Sequence, residues 1–154
     1  MAKKVLVALG LALAVLLVTP FLAVAVPNCD ISTTGVSFGT YNVFSATPLD
    51  STGSVSYKCT GNAANITIAL DRGGAPSFNP RQMLKGTEAL NYNLYRDAAR
   101  TTIWGDGTGG TSVYSDPNPP NGLTTPVTIY GRIPAGQDVS AGTYTNTVTA
   151  TITF

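Results

Sequence analysis

Histidine is absent from this chain, and with it goes the side chain that most often serves as general base near neutral pH. Neither a Ser-His nor a Cys-His arrangement can form. A zinc site would lack its usual imidazole as well. Charge is scarce: 11% of residues are Asp, Glu, Lys or Arg, nine basic against eight acidic. That leaves no basic patch, and there is no interleaved aromatic platform, so nucleic acid is not an expected partner. The carboxylates Asp50, Asp71, Asp97, Asp106, Asp116 and Asp138 stand singly, mostly in turn-like surroundings. A glycosidase pair would need two of them to meet in space beside a substrate cleft, and nothing in the chain marks such a cleft. No stretch of a dozen residues carries helical periodicity. The run Asp106-Gly107-Thr108-Gly109-Gly110 lacks the acidic spacing of an EF-hand and the Gly-Lys-Ser/Thr ending of a P-loop, and reads as a flexible loop. Catalytic residues, metal ligands and cofactors are therefore not expected.

The one long apolar run is at the start. Lys3 and Lys4 precede an apolar run from Val5 to Val18, and Ala23-Val24-Ala25 offers the small-x-small pattern of a signal-peptidase site. The expected division is residues 1–25 as signal peptide and 26–154 as one domain. The competing reading is an uncleaved membrane anchor, since the apolar stretch approaches spanning length. Pro20, the small residues at the cut and the lack of a basic stop-transfer flank stand against it. Without Lys3 and Lys4 the balance is seven basic to eight acidic residues. A leader directs the chain to an oxidising compartment, where Cys29 and Cys59, its two cysteines, form a disulfide by default. Two free buried thiols are the alternative.

Short alternating segments with turn signals between them fill the rest. Val36–Phe44 has strand composition, with Gly39 a possible bulge, and Ser51-Thr52-Gly53 reads as a turn. Ser54–Cys59 puts Val55, Tyr57 and Cys59 on one face. Asn65–Asp71 puts Ile66, Ile68 and Leu70 inward. Met83-Leu84 is a short candidate strand, and Leu90–Arg96 aligns Leu90, Tyr92, Leu94 and Arg96. Gly105–Asn121 reads as a long loop with at most a brief strand near Val113-Tyr114. Val127–Ile133 resumes the pattern before a turn at Pro134–Gln137. This spacing argues a single antiparallel β-sandwich.

The last segment is the most regular. From Thr143 every odd position is threonine, while the even positions run Tyr144, Asn146, Val148, Ala150, Ile152, Phe154. Period-two alternation of β-branched residues makes this a half-buried strand with an apolar face and a hydroxyl face. An apolar face of that kind needs a partner, from this chain or another. Elsewhere, Asn65-Ile66-Thr67 is a formal glycosylation acceptor lying on an expected strand. Trp104 could stack on a sugar, together with the loop around Tyr114, but a core or loop-anchoring role is the more ordinary use of a lone tryptophan.

The run from Tyr92 through Asp97 and Trp104 to Gly107 resembles the central motif of the spore coat protein U family, the pilin-like subunits of the archaic chaperone-usher pathway. Cys29 close behind a leader, Cys59 at the end of a strand and the ending from Ala141 to Phe154 match it too. The resemblance implies an all-β, immunoglobulin-like sandwich that lacks its last strand and is completed by donor-strand complementation. It implies a periplasmic chaperone, an outer-membrane usher and neighbouring pilin subunits as partners, and a secreted, non-enzymatic product at the cell surface. Carried onto this sequence, Tyr144, Val148, Ala150, Ile152 and Phe154 would line the groove that chaperone and donor strand fill.

One departure stands out. A donor strand needs roughly ten residues, to offer about five alternate side chains, yet only Val26-Pro27-Asn28 separates the expected cut from Cys29. Three residues including a proline cannot donate a strand, so a subunit that accepts but does not give is expected, at a tip or as a cap. A cut after Ala14 would restore a donor segment. The reading from a different class is a stand-alone adhesin with a self-complete sandwich, binding carbohydrate or a surface through the loop of Trp104 and Tyr114.

Overall fold

The computed structural model describes residues 25–154. Both candidate cleavage sites, after Ala25 and after Ala14, involve residues outside that range. The strands are β1 (Asn28–Thr34), β2 (Leu49–Thr60), β3 (Ile66–Leu70), β4 (Arg81–Lys85), β5 (Glu88–Tyr95), β6 (Tyr114–Asp116), β7 (Thr124–Ile133) and β8 (Ala150–Thr153). They form two antiparallel sheets, one ordered β1-β2-β7-β5-β4 and one ordered β6-β3-β8. This is an all-β, immunoglobulin-like sandwich.

The core follows from the alternation. Val55, Tyr57 and Cys59 of β2, Ile66, Ile68 and Leu70 of β3, and Leu90, Tyr92 and Leu94 of β5 are all buried, with Ile129 and Ile133 of β7 between them. Each such aliphatic side chain removed from water contributes roughly 1.5 to 3 kcal/mol. Cys29 and Cys59 lie directly opposite one another across β1 and β2 and are joined in a disulfide, with 4.1 Å between their Cα atoms. Trp104 is 0% exposed. Its amide donates to the Leu94 carbonyl and its indole nitrogen donates to the Ile68 carbonyl at 2.9 Å, so it ties one sheet to the other.

Three expectations are corrected. Ser51–Gly53 is not a turn but lies inside β2, paired with β7 from Leu49↔Ile133 through Lys58↔Thr124. Gly53 is there because the chain crosses it: a Cβ would stand 2.6 Å from the Thr34 carbonyl oxygen. Gly131 of β7 plays the same part, for a Cβ there would meet the Phe38 ring at 2.7 Å. Secondly, Val36–Phe44 is not a strand. Val36 and Phe38 do turn inward over the two glycines, and Phe38 packs edge-on against Tyr92 at 5.9 Å, but the backbone has no ladder partner. Thirdly, the terminal strand is shorter than the expected Thr143–Phe154. Only Ala150–Thr153 pairs with β3, and an isolated bridge joins Thr145 to Leu84. Between them the chain leaves one sheet for the other, and no strand spans that step.

Candidate functional site: an open seam between the sheets

The final segment is fastened along one edge only. Thr145 exchanges both backbone hydrogen bonds with Leu84 of β4, at 2.8 and 3.1 Å. The Thr149 carbonyl accepts from the Asp71 amide at 3.0 Å, and the Thr149 amide donates to the Asp71 carboxylate at 2.9 Å. Thr151 and Thr153 stand opposite Ala69 and Thr67 of β3. In an extended chain the N–H and C=O of alternate residues point to opposite edges. If the threonines face β3 and β4, then Asn146, Val148, Ala150 and Ile152 direct their backbone groups to the other side. Among the described residues no hydrogen bond completes that side.

Across the gap runs the continuation of β1. From Gly35 to Tyr41 the chain pairs with no strand and turns at Gly39, where φ is 70°; among the described residues only the Ser37 carbonyl of its backbone groups has a partner, the Ser51 hydroxyl. The seam thus has two walls, Thr33–Phe38 on one side and Asn146–Ala150 on the other, over a cavity of about 290 Å³. Its floor is apolar, made by Val55, Leu70, Met83, Leu94 and Ile129 with the Tyr92 ring. The Tyr92 hydroxyl accepts from the Asn146 carboxamide at 3.1 Å, and burial pushes it above the ordinary phenol value, so it stays protonated. The trough is apolar, and among the described residues the backbone edges along it carry no strand pairing.

Two polar devices hold the terminal segment in place. Burial raises the Asp71 carboxyl, but the hydrogen bonds from Thr149 and Gly73 outweigh it and leave the group below its ordinary value. At the far end Glu88 accepts from the Ser140 hydroxyl and amide, and these bonds hold it down at about 2. Lys85 adds bonds to Ser140 and to the Ala141 carbonyl and lies over the Tyr144 ring. Together they pin the loop that feeds the last segment onto the β4–β5 hairpin.

Of the residues expected to line a groove, Val148 and Ala150 face the cavity, and Tyr144 and Ile152 are half-buried on the same face. Phe154 is 51% exposed. The expected surface-binding loop is corrected: Trp104 is buried, and Tyr114 is half-buried with its ring 6.1 Å from the indole and 6.0 Å from Tyr57. Neither is free to stack on a ligand. The scattered carboxylates staple separate turns and pairs: Asp97 to the amides of Thr101 and Thr102, Asp106 to Thr108, Asp50 to Arg132. Sequence reasoning missed Asn146 and Met83 as parts of the seam. A signal for Asn146 was there, as the one carboxamide among the even positions of the terminal segment.

Residues 12–151 match the Spore Coat Protein U domain. Protein U of Myxococcus xanthus is 39% identical over 132 residues, which cover 77% of this chain and 71% of that protein. Among solved structures, the chaperone–tip adhesion subunit pre-assembly complex CsuC–CsuE, from the archaic chaperone-usher Csu pili of Acinetobacter baumannii, contains a similar chain. The TM-score is 0.60 at 25% identity, covering 84% of this chain and 40% of that one. This protein therefore spans less than half of that solved relative. On the match over residues 12–151 and the likeness to Protein U, the chain belongs to the Spore Coat Protein U domain family.

Proposed function

We propose that this protein is a structural subunit of an extracellular chaperone-usher pilus, or of a spore or cell-surface coat, and that its seam is filled by a strand from another chain. The observation that carries this is the pair of unpaired backbone edges facing each other across an apolar trough. Unpaired edges beside an apolar surface template aggregation unless a strand is added, and strand addition supplies main-chain bonds and side-chain pockets at once. The solved relative was captured as a chaperone–subunit pre-assembly complex, which supports a periplasmic chaperone as first occupant and a neighbouring subunit as the later one, delivered by an outer-membrane usher. Val148 and Ala150 would meet the incoming side chains, with Tyr144, Ile152 and Phe154 extending the contact. With cleavage after Ala25, the three residues before Cys29 leave nothing to donate, and the subunit accepts a strand without giving one.

The test is the oligomeric state and thermal stability of the mature chain, alone and with a synthetic ten-residue strand of alternating apolar and polar residues. An aggregating or weakly folded chain that becomes a stable monomer with the peptide supports the reading. A chain already stable and indifferent to the peptide overturns it. Mass determination of the mature N-terminus tests the acceptor-only role separately, since a start at Val15 would supply a donor segment.

A further inference from the structure

On the otherwise apolar floor of the seam one spot is polar. The Asn146 carboxamide reaches across from the terminal segment to the Tyr92 hydroxyl on the floor, at 3.1 Å. Both residues line the cavity. Tyr92 is buried and Asn146 half-buried. Within the described residues this bond is the only one either side chain makes. The Tyr92 O–H, a donor, then has no acceptor, and the Asn146 Oδ1, an acceptor, has no donor. Turning the carboxamide over exchanges the roles but still leaves donors and an acceptor unused. The other side chains around the floor, Val55, Leu70, Met83, Leu94 and Ile129, offer nothing to satisfy them. Covering this pair with an apolar side chain would strand both groups away from water, where each unmade hydrogen bond is costly.

We propose that the Tyr92–Asn146 pair sets the register of the strand received in the seam, by requiring a hydroxyl or carboxamide side chain at one inward position of an otherwise apolar face. This rests on the strand-acceptor reading above and specifies the chemistry of its partner: Ser, Thr, Asn or Gln opposite Asn146, with aliphatic residues two before and two after. Such side chains donate and accept together, which is the combination the pair leaves open. The physical precedent is the buried polar residue that fixes register in coiled coils at some expense of stability. A fully apolar strand could slip by two residues without changing which face it buries; a single polar residue removes that freedom.

The experiment uses the mature chain and synthetic eleven-residue strands. The parent has valine at all five inward positions, and three variants carry one threonine at the second, third or fourth of these, each with a nitroxide at its C-terminus. Threonine is close to valine in shape, so the comparison isolates the hydroxyl. Each threonine strand is expected to bind on the order of tenfold tighter than the parent, the worth of one buried hydrogen-bonded group. Moving the threonine by two residues is expected to move the amides broadened by the nitroxide two residues along Asn146–Phe154. In a Tyr92→Phe/Asn146→Val double variant the parent becomes the tightest binder and the register no longer follows the threonine; Asn146→Val alone serves if the double variant does not fold. A parent strand that binds the native protein as tightly as the threonine strands, or a register that ignores them, overturns the proposal and leaves the seam an acceptor. If no strand binds at all, the acceptor reading falls and the proposal with it.

Discussion

Trp104 uses its whole side chain for cohesion: the ring is enclosed and its nitrogen donates to the Ile68 carbonyl of the opposite sheet. Trp104→Phe leaves that carbonyl without its partner and opens a void, and should cost about 2 to 4 kcal/mol in urea unfolding. Unchanged stability would mean the indole is not a tie between sheets. Gly131 works by what it lacks. Phe38 and Val36 occupy the space a Cβ would need, each within 2.7 Å of it, so Gly131→Ala must push one wall of the seam outward. Overpacking of this kind costs about 1 to 3 kcal/mol. Adding Phe38→Ala to Gly131→Ala should recover part of that loss, and a strictly additive double variant would contradict the packing described.

Among the elements, β1 is held by its ladder to β2, by the Cys29–Cys59 bond and by the packing of Ile31 against the core. In the chain-entropy account, a loop closed across a sequence separation of 30 is worth about 3 to 4 kcal/mol. The Cys29→Ala/Cys59→Ala variant should lose roughly that in chemical denaturation. Because β1 runs on into the Thr33–Phe38 wall, strand-peptide affinity should fall as well; equal affinity would uncouple the wall from the disulfide. The loop before the terminal segment should respond to acid. Glu88 titrates near 4.5 when free and is held down at about 2 by Ser140 in the folded chain. A depressed carboxyl contributes fully above its unfolded value and is lost as pH falls through its folded one. Protection of the Ser140 amide, corrected for intrinsic exchange, should therefore decline between pH 4.5 and 2, and Glu88→Gln should remove it at all pH values. Protection that persists to pH 2 would contradict the role given to Glu88.

What could be read in advance at this scale was the face of each segment. Val55, Tyr57, Cys59, Ile66, Ile68 and Leu70 are buried as their alternation requires, and the even residues of the terminal segment turn inward down to Ile152. Backbone partnership was not legible. Val36 and Phe38 alternate like a strand, but a strand also needs a neighbour, and alternation reports side chains only. Ser51–Gly53 has turn composition, yet Gly53 serves a crossing chain, a contact with Thr34 that composition cannot reveal. Arg81 carries a charge that ordinarily keeps a side chain at the surface. It is fully buried instead, donating to the Asp71 and Trp104 carbonyls and to Asn93. Tyr92 and Asn146 were each placed on the correct face, but their meeting is a property of the packed sheets.

At the scale of the whole molecule, no pairing among the described residues joins the β1 continuation to the terminal segment. A five-stranded sheet and a three-stranded sheet share one core, and the last segment bridges them, bonded to β3 at one end and to β4 at Thr145. Its hydrogen-bonding capacity is half used. The alternation that makes the threonine amides inward-bonded leaves the amides of Asn146, Val148, Ala150 and Ile152 facing the seam. Amide hydrogen exchange along this segment, in the free mature chain and with an alternating strand peptide bound, reports whether the seam is open and takes a strand. Thr145, Thr149, Thr151 and Thr153 are expected to be protected in the free chain while the four even positions exchange fast, and the peptide is expected to protect those four. Even-position amides already protected in the free chain, or unchanged by a peptide that binds, would contradict an open seam that takes a strand from another chain.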